Sequence, residues 1–421
     1  MKILIIGGGA REHALTWKLS QSPKVKEIYV APGNGGTVEL AQNLAISYTD
    51  TESLLMLALE KDIDLAVVGP ETPLANGIVD RFQKNGIPIF GVTRAAAHIE
   101  SSKVFAKELM QKYNIPCARG AAFSSYTEAG KYIRQLSPPV VVKADGLAAG
   151  KGVTIAGSIR QAFDALSNIM EARVFGAAGD RVVIEEYLTG RELSVFAFTD
   201  ARTVIPMAAA CDYKPVFDDD KGPNTGGMGS YSLPHFDSSQ LAKTITETIM
   251  KPTVQAMAQE KRPYRSVLYG GLMITDDGPK VLEFNARFGD PETQVILPLL
   301  KTDLVDIILA VINGNLDQID IEWSGDACVG VVMTSGDYPA DYKTGFLISG
   351  LNSLDKDILV FHAGTRLESE QVLTNGGRVL TVVARGKTIA EAREKVYANI
   401  TRIHFEGCHY RKDIADIKNG Q

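Results

Sequence analysis

The segment KVLEFNARFGDPETQ, residues 280–294, concentrates residue types suited to phosphate and metal chemistry. In an extended strand residues two apart share a face, so Glu283, Asn285 and Arg287 point one way and Phe284 the other. A carboxylate beside an amide oxygen suits a hard cation such as Mg²⁺, which takes a few protein oxygens and completes its shell with phosphates. Arg287, a planar fork of donors, can orient an anionic substrate. Gly289-Asp290-Pro291-Glu292 follow at once, which speaks against a merely solvated polar face.

Four further stretches add to this chemistry. ADGLAAGKG, residues 144–152, follows an apolar strand ending in Lys143. It is not a Walker loop, because Gly150 comes too soon after Gly146 and Gly152 stands where serine or threonine should follow Lys151. As a hairpin flap it can lay backbone amides over phosphates while Lys143 and Lys151 neutralise them. In VVIEEYLTGRE, residues 182–192, Tyr187 and Leu188 can sandwich an adenine and Glu192 can accept from ribose hydroxyls; an amphipathic edge strand is the plainer alternative. GPNTGGMG, residues 222–229, lies behind Asp212 and Lys214. So many glycines cost folding entropy, which is tolerable where backbone must approach a ligand closely; a surface loop is the plainer alternative. At the N-terminus, Gly7 and Gly9 fit G-x-G-x-x-G but the third glycine falls on Glu12, and Val30 runs into Ala31-Pro32 where an acidic residue is due. A dinucleotide fingerprint is therefore rejected in favour of a strand–glycine–helix junction that favours an anion. His13, at the start of that helix, can touch phosphate or cap the helix. The other five histidines lack metal spacing or a nucleophile partner.

The elements that must position these residues follow from periodicity. Strands at Ile3–Ile6, Ile28–Val30, Leu65–Val68 and Ile89–Phe90 alternate with helices at Arg11–Ser20, near Ser53–Glu60 and at Leu74–Asn85. That alternation predicts a parallel sheet whose ligand site lies beyond the carboxyl ends of its strands, in the loops GGGA, APGNGG and GPETP. From Ser101 the texture changes: a helix carries Lys103 and Lys107, and a small α+β unit contains a helix around Thr127–Gln135, strands at Val140–Lys143, Val153–Ile155 and Arg181–Glu186, and a helix near Ile159–Met170. Glu192 to Asn285 reads mostly as strands with one long helix, about Ser239–Gln259. A last α/β segment has strands near Val329–Thr334, Leu359–Phe361 and Val379–Ala384 and a helix at Ile389–Thr401.

Composition sets bounds on function. The chain has 421 residues, net charge −6, 45% hydrophobic and 22% charged residues, which exclude wholesale disorder and predict two to four domains. The acidic balance argues against general nucleic-acid binding. No apolar run reaches membrane-span length, and MKILIIGGG lacks a signal-peptide cleavage pattern. The four cysteines are scattered, as reduced thiols in a cytoplasmic protein would be.

Taken together, GGGAREHA, APGN, VGPE, KADGLAAGKGV, VIEEYL, GPNTGGMG, EFNARFGDPETQ, NGGRV and YRKDI resemble, in order and over nearly the whole chain, the ATP-grasp superfamily and within it the phosphoribosylamine–glycine ligase family. The resemblance implies an α/β ATP-grasp enzyme with a parallel-sheet N-terminal domain (1–101), a grasp region (102–320) with a small α+β lid at about 118–188, and a C-terminal α/β domain (321–421). It implies ligation of glycine to 5-phosphoribosylamine through glycyl phosphate, with ATP and Mg²⁺ or Mn²⁺. The expected partners are these small molecules, with no nucleic acid or membrane, and a monomer is favoured while the oligomeric state stays open. Lys103 and Lys143 would take the ATP phosphates under the flap of Gly146, Gly150, Lys151 and Gly152. Glu185, Tyr187 and Leu188 would line the adenine, and Glu192 would hold the ribose. Glu283 and Asn285 would hold the metal. Asp212, Arg287, Lys214, Asn224, Thr225, Gly226 and Gly227 would face glycine and the acyl phosphate, and Gly9, Asn34, Glu71 and Asp290 the phosphoribosylamine. Ala10 departs from the family's glycine, Tyr213 and Pro215 from its histidine and arginine, and Gly407-Cys408-His409 from its pattern near the C-terminal tyrosine. A nicotinamide dehydrogenase would leave the lysine flap unexplained, and a carboxylase of the same superfamily would not be expected to carry GPNTGGMG.

Overall fold

The computed structural model describes residues 1–147, 152–233, 236 and 239–416. Its N-terminal sheet is parallel throughout, with β1 (Lys2–Gly7), β2 (Glu27–Pro32), β3 (Gln42–Asn43), β4 (Leu65–Val68) and β5 (Ile89–Phe90) in the order β3-β2-β1-β4-β5. Ile3–Ile6 and Leu65–Val68 are buried throughout, because both faces of a parallel sheet are covered and a continuous apolar run fits that place. The order reverses between β1 and β4. The loops after β1, β2 and β4 therefore open into one crevice at the strands' carboxyl ends. The single helix predicted over 74–85 is two, Glu71–Ala75 and Ile78–Lys84, because Gly77 between them adopts a left-handed φ of 86°.

The lid is an antiparallel sheet of β6 (Gly120–Phe123), β7 (Val140–Ala144), β8 (Val153–Ala156) and β9 (Val182–Glu186), ordered β6-β9-β7-β8. Val140, Val142, Ala144, Val182 and Ile184 face the helices Tyr126–Ile133 and Ile159–Met170 and form the lid's core. Alternation sends Lys143, Glu185, Val153 and Ile155 to the opposite face, with Lys143 paired to Val153 and Val141 to both Ile155 and Glu185.

The remaining strands are β10 (Arg191–Asp200), β11 (Val204–Pro206), β12 (Ala210–Asp212), β13 (Pro215–Phe217), β14 (Lys221–Asn224), β15 (Gly229–Ser232), β16 (Arg265–Thr275), β17 (Gly278–Asn285), β18 (Ala327–Thr334), β19 (Leu359–His362), β20 (Thr365–Glu368), β21 (Gln371–Thr374) and β22 (Arg378–Gly386). Hairpins β13–β14 and β20–β21 stand apart, and the others build a nine-stranded sheet ordered β17-β16-β10-β12-β15-β18-β22-β19, with β11 on β10. The C-terminal strands thus continue the central sheet rather than forming a separate one: Gly229, Ser230 and Tyr231 of β15 pair with Val331, Gly330 and Val329 of β18. Among the described residues no helix is long and apolar enough to cross a membrane.

Candidate active site

Strand β17 carries a bulge. Leu272 of β16 opposes Val281 and Gly271 opposes Glu283, so Leu282 is the extra residue. Beyond it the alternation is regular: Phe284 is buried in the core, and Glu283 and Asn285 emerge on the other face. Cross-strand register places Ser194 and Glu192 of β10 on that same face, through Gly271 and Met273 of β16. Asp212 ends β12 two residues beyond Ala210, the partner of Ser194, and joins them.

These acids interleave with lysines. Lys214 Nζ lies 2.9 Å from Glu192 Oε2. Asp212 raises the Lys214 ammonium's pKa, outweighing the burial that lowers it. Burial pushes the Asp212 carboxyl up to about 7; Lys214 opposes this, while Glu292, Glu192 and Glu283 reinforce it. For Glu283 burial acts upward too, but Lys214, Lys103 and Lys143 hold it below the usual carboxylate range, so it is an anion at neutral pH. An anionic carboxylate next to an amide oxygen, ringed by cations that can turn to phosphates, fits a hard divalent ion.

Arg287 leaves the strand on the Asn285 side and donates to Asn285 Oδ1 at 3.1 Å. Its guanidinium also pairs with Glu100 (3.2 Å) and Glu71 (3.6 Å), tying β17 to the N-terminal domain. Burial lowers its basicity, but Glu100 and Glu71 outweigh that and keep it a cation. For Glu71 burial acts upward, yet Arg287 and Arg11 hold the carboxyl low. Arg287 Nε is buried and faces Glu71 Oε2 at 3.6 Å, beyond hydrogen-bond distance among the described residues.

On the lid, Lys143 Nζ sits 2.5 Å from Glu185 Oε2 and donates to the Leu282 carbonyl at the bulge (2.9 Å). Glu185's other oxygen takes Lys107 at 3.0 Å, and Lys107 also donates to the Ala118 carbonyl. Lys107 was not among the predicted site residues; its spacing of four from Lys103 on one helix was the signal. Lys103 reaches the Gly146 carbonyl (3.2 Å). Asp145 accepts from Ser102 Oγ and the Val104 amide and pairs with Arg181, so it caps the helix Lys103–Lys112 and pins the hairpin root. Gly152 accepts from the Ala144 amide and Gly146 stands against Ala178; Gly150 and Lys151 lie outside the described residues. Leu188 is buried with Ala118 and Met273 beside Leu282, whereas Tyr187 is exposed. Val153 and Ile155, exposed apolar residues on the Lys143 face, also escaped the sequence reading.

The third part of the site joins all the segments. Gly9, at the start of helix Ala10–Ser20, donates its amide to Glu12 (2.6 Å), and a Cβ there would stand 3.4 Å from Asp290 Oδ2. The Asn34 side chain is saturated internally. It donates to the Gly8 and His362 carbonyls and accepts from the Gly36 and Thr37 amides, so it shapes the crevice loop rather than offering a free amide. His13 is buried and accepts from the His362 amide (2.9 Å), and burial with His362 nearby drives its pKa down to about 3. A buried, neutral ring with Nδ1 taken by the His362 amide offers no positive charge to a phosphate.

In the 222–229 loop, Thr225 Oγ1 donates to the Lys214 carbonyl (2.8 Å), and Asn224 ends the exposed strand β14. Gly227 has φ 114° and a Cβ there would come 2.4 Å from Pro291 Cδ; one on Gly226 would meet the Arg378 guanidinium at 3.0 Å. The glycines therefore let the loop press on protein groups, Pro291 and Arg378, which is a different reason from the expected close approach to a ligand. Arg378, the arginine of NGGRV, was also missed: its Nη1 donates to the carbonyls of Gly226 (2.6 Å) and Asp290 (3.0 Å) and pairs with Asp290 Oδ1 (3.3 Å).

The chain is similar to known proteins over nearly its whole length. Three family models cover the chain, those of the phosphoribosylglycinamide synthetase N domain (residues 1–100), ATP-grasp (A) domain (101–293) and C domain (328–417). A phosphoribosylamine–glycine ligase of Halalkalibacterium halodurans is 51% identical over 98% of this chain and 96% of its own. The solved phosphoribosylamine–glycine ligase of Thermotoga maritima superposes with a TM-score of 0.86 at 34% identity, over 98% of this chain and all of that one. A biotin carboxylase of Campylobacter jejuni, at 16% identity and a TM-score of 0.75 over 97% of this chain and 92% of its own, shares the fold alone. With family models matching residues 1–293 and 328–417 and a relative half identical over nearly the full length, the chain belongs to the phosphoribosylglycinamide synthetase family of ATP-grasp ligases.

Proposed function

We propose that this protein ligates glycine to 5-phosphoribosylamine with cleavage of ATP, giving glycinamide ribonucleotide, ADP and phosphate for purine synthesis. The observation that carries this reading is the meeting of three segments: Glu283 and Asn285 of β17, Lys143 held by Glu185 and by the Leu282 carbonyl, and the Thr225–Gly227 loop held by Arg378. The glycine carboxylate would attack the γ-phosphate, and the amine of phosphoribosylamine would then displace phosphate from glycyl phosphate. Such a route needs neutralised charge and excluded water more than a protein nucleophile.

Lys103 and Lys143 would balance the phosphates at the hairpin root formed by Gly146 and Gly152, with Gly150 and Lys151 between them. Glu185 positions Lys143. Tyr187, Leu188, Val153 and Ile155 would enclose the base, and Glu192 would take ribose hydroxyls. Glu283 and Asn285 would hold Mg²⁺ or Mn²⁺, which when bound neutralises phosphate charge. Asp212, Lys214, Asn224, Thr225, Gly226, Gly227 and Arg287 would orient glycine and its acyl phosphate. Gly9, Glu71 and Asp290 would face phosphoribosylamine in the crevice shaped by Asn34.

The test follows ADP release with ATP and Mg²⁺. Release should require both glycine and the amine, and rapid release with bicarbonate in place of glycine would overturn the reading in favour of a carboxylase. Glu283→Gln keeps shape but removes the charge, so it should raise the Mg²⁺ requirement and cut turnover with little loss of stability. Asn285→Asp should be milder. Phe284→Ala is the control on the opposite face: it should destabilise by ~3–5 kcal/mol without shifting the Mg²⁺ titration.

A further inference from the structure

We propose that the C-terminal segment 409–416 is a strap that sets the position of Lys214 and the Thr225–Gly227 loop, with Arg411 as its positioning residue. The need for a strap comes from hairpin β13–β14. Pro215–Asn224 leaves the large sheet as a ribbon of two strands, and Val216 is its one buried residue. A ribbon without a hydrophobic face does not hold its own shape. At its tip Asp219 and Asp220 have φ of 59° and 53°, a left-handed conformation that persists only where neighbours hold it. Its two stems run directly into Lys214 and Thr225, so any slack in the ribbon moves both.

Contacts from segment 409–416 supply the restraint. His409 Nε2 meets the Val216 carbonyl (2.9 Å), the Lys412 amide donates to Asp218 Oδ1 (2.8 Å), and Asp413 Oδ2 accepts from the Asp219 amide (2.9 Å). The Ala415 amide donates to the Tyr213 hydroxyl (3.0 Å). Arg411 is the centre of this set. Its side chain is fully buried; Nη1 donates to the Pro215 carbonyl (3.0 Å) and Asp220 Oδ1 (2.9 Å), while Nε and Nη2 form a fork on Asp413 (2.8 and 2.7 Å). The guanidinium also lies 4.8 Å from the Tyr213 ring centre. Tyr213 sits between Asp212 and Lys214, so clamping its ring and hydroxyl fixes the strand that presents both. The strap's far side is anchored on helix Ile389–Ile400: Tyr397 donates to the Arg411 carbonyl (2.8 Å), and Arg393 to the carbonyls of Lys412 and Ile414. Tyr213 and Pro215, the residues that depart from the family's pattern, are thus both held by Arg411, one through its ring and the other through its carbonyl.

The effect on glycine rests on the reading that Lys214 and Thr225–Gly227 face that substrate. Two measurements separate the parts. Hydrogen exchange is followed for amides 216–227 in the ligand-free full chain, for wild type, Arg411→Lys and Asp220→Asn. Asp220 is exposed, so its variant keeps the fold even where Arg411 variants do not. Both variants should speed exchange there by about tenfold or more. Steady-state kinetics should show the KM for glycine rising by about tenfold, with the KM for ATP within about twofold of wild type. Unchanged exchange overturns the strap. Faster exchange with an unchanged glycine KM, or with equal rises in both KM values, overturns its positioning role. If wild-type ADP release ignores glycine, the functional reading fails, and exchange alone then decides whether the strap exists.

Discussion

Lys107→Met is the sharpest probe of the lid. Lys107 and Glu185 are 1% and 6% exposed in their side chains, with Nζ 3.0 Å from Oε1. Methionine fills the volume of the lysine stem, so no large cavity opens, but the carboxylate loses one cation and the Ala118 carbonyl loses its donor. Removing one partner of a buried pair costs about 3–5 kcal/mol. Here Glu185 keeps Lys143 at 2.5 Å, which places the expected loss near the lower end, about 3 kcal/mol. A second effect follows, because Lys143 is then the remaining cation on Glu185 and is drawn away from phosphate. ATP affinity should fall by about tenfold, or ~1.4 kcal/mol. Denaturant titration measures the first quantity and calorimetry with a non-hydrolysable ATP analogue the second. Adding Glu185→Gln removes the stranded charge, so the double variant should be more stable than the sum of the two single losses requires. A loss below about 1 kcal/mol for Lys107→Met, or strict additivity in the double variant, would refute the reasoning.

Gly227→Ala combines a φ of 114° with a Cβ 2.4 Å from Pro291 Cδ, whereas Gly278→Ala has φ 107° and open space. Gly278→Ala should cost about 1–2 kcal/mol of backbone strain and Gly227→Ala clearly more, with a raised KM for glycine; equal costs in thermal melts would show that the Pro291 contact yields freely. The buried histidines make stability fall in acid. Burial holds His13 at about 3 and His362 at about 4, against 6.5 for an exposed ring, so below pH 6.5 the unfolded chain binds protons that the folded chain refuses. That contribution is present above pH 6.5 and is lost as pH falls, by about 3 kcal/mol from each by pH 4. Denaturant melts from pH 7 to 4 should show this slope, and His362→Gln should flatten it; an unchanged slope in that variant would place the acid sensitivity elsewhere.

Some features of this protein are local and were legible in the residues themselves. Ile3–Ile6 and Leu65–Val68 read as buried parallel strands because an apolar run of that length between glycine turns has few other uses. The face shared by Glu283 and Asn285, with Phe284 opposite, follows from the two-residue period of a strand, and the bulge at Leu282 falls just before it without disturbing it. The hairpin root at Lys143 and Gly146 and the glycine loops at strand ends are likewise set by neighbours in sequence.

Other features depend on which distant segments meet, and periodicity carries no information about that. An apolar residue announces that it will be buried, not against what. Lys103 and Lys107 lie on one helix, yet the fold alone brings Lys107 to Glu185 and Ala118. Asn34 and His13 look like ligand groups until His362, more than three hundred residues later, takes an amide hydrogen of the one and Nδ1 of the other. Gly226 and Gly227 look like ligand-approach glycines until Arg378 and Pro291 arrive beneath them. The joining of β15 to β18, which makes one sheet of the central and C-terminal segments, is a choice between edges that both strands would satisfy equally well alone. Residue type and spacing thus determined the chemistry on offer. Long-range packing decided which side chains remain free to perform it, because a hydrogen-bonding group already satisfied inside the protein has nothing left to give a substrate.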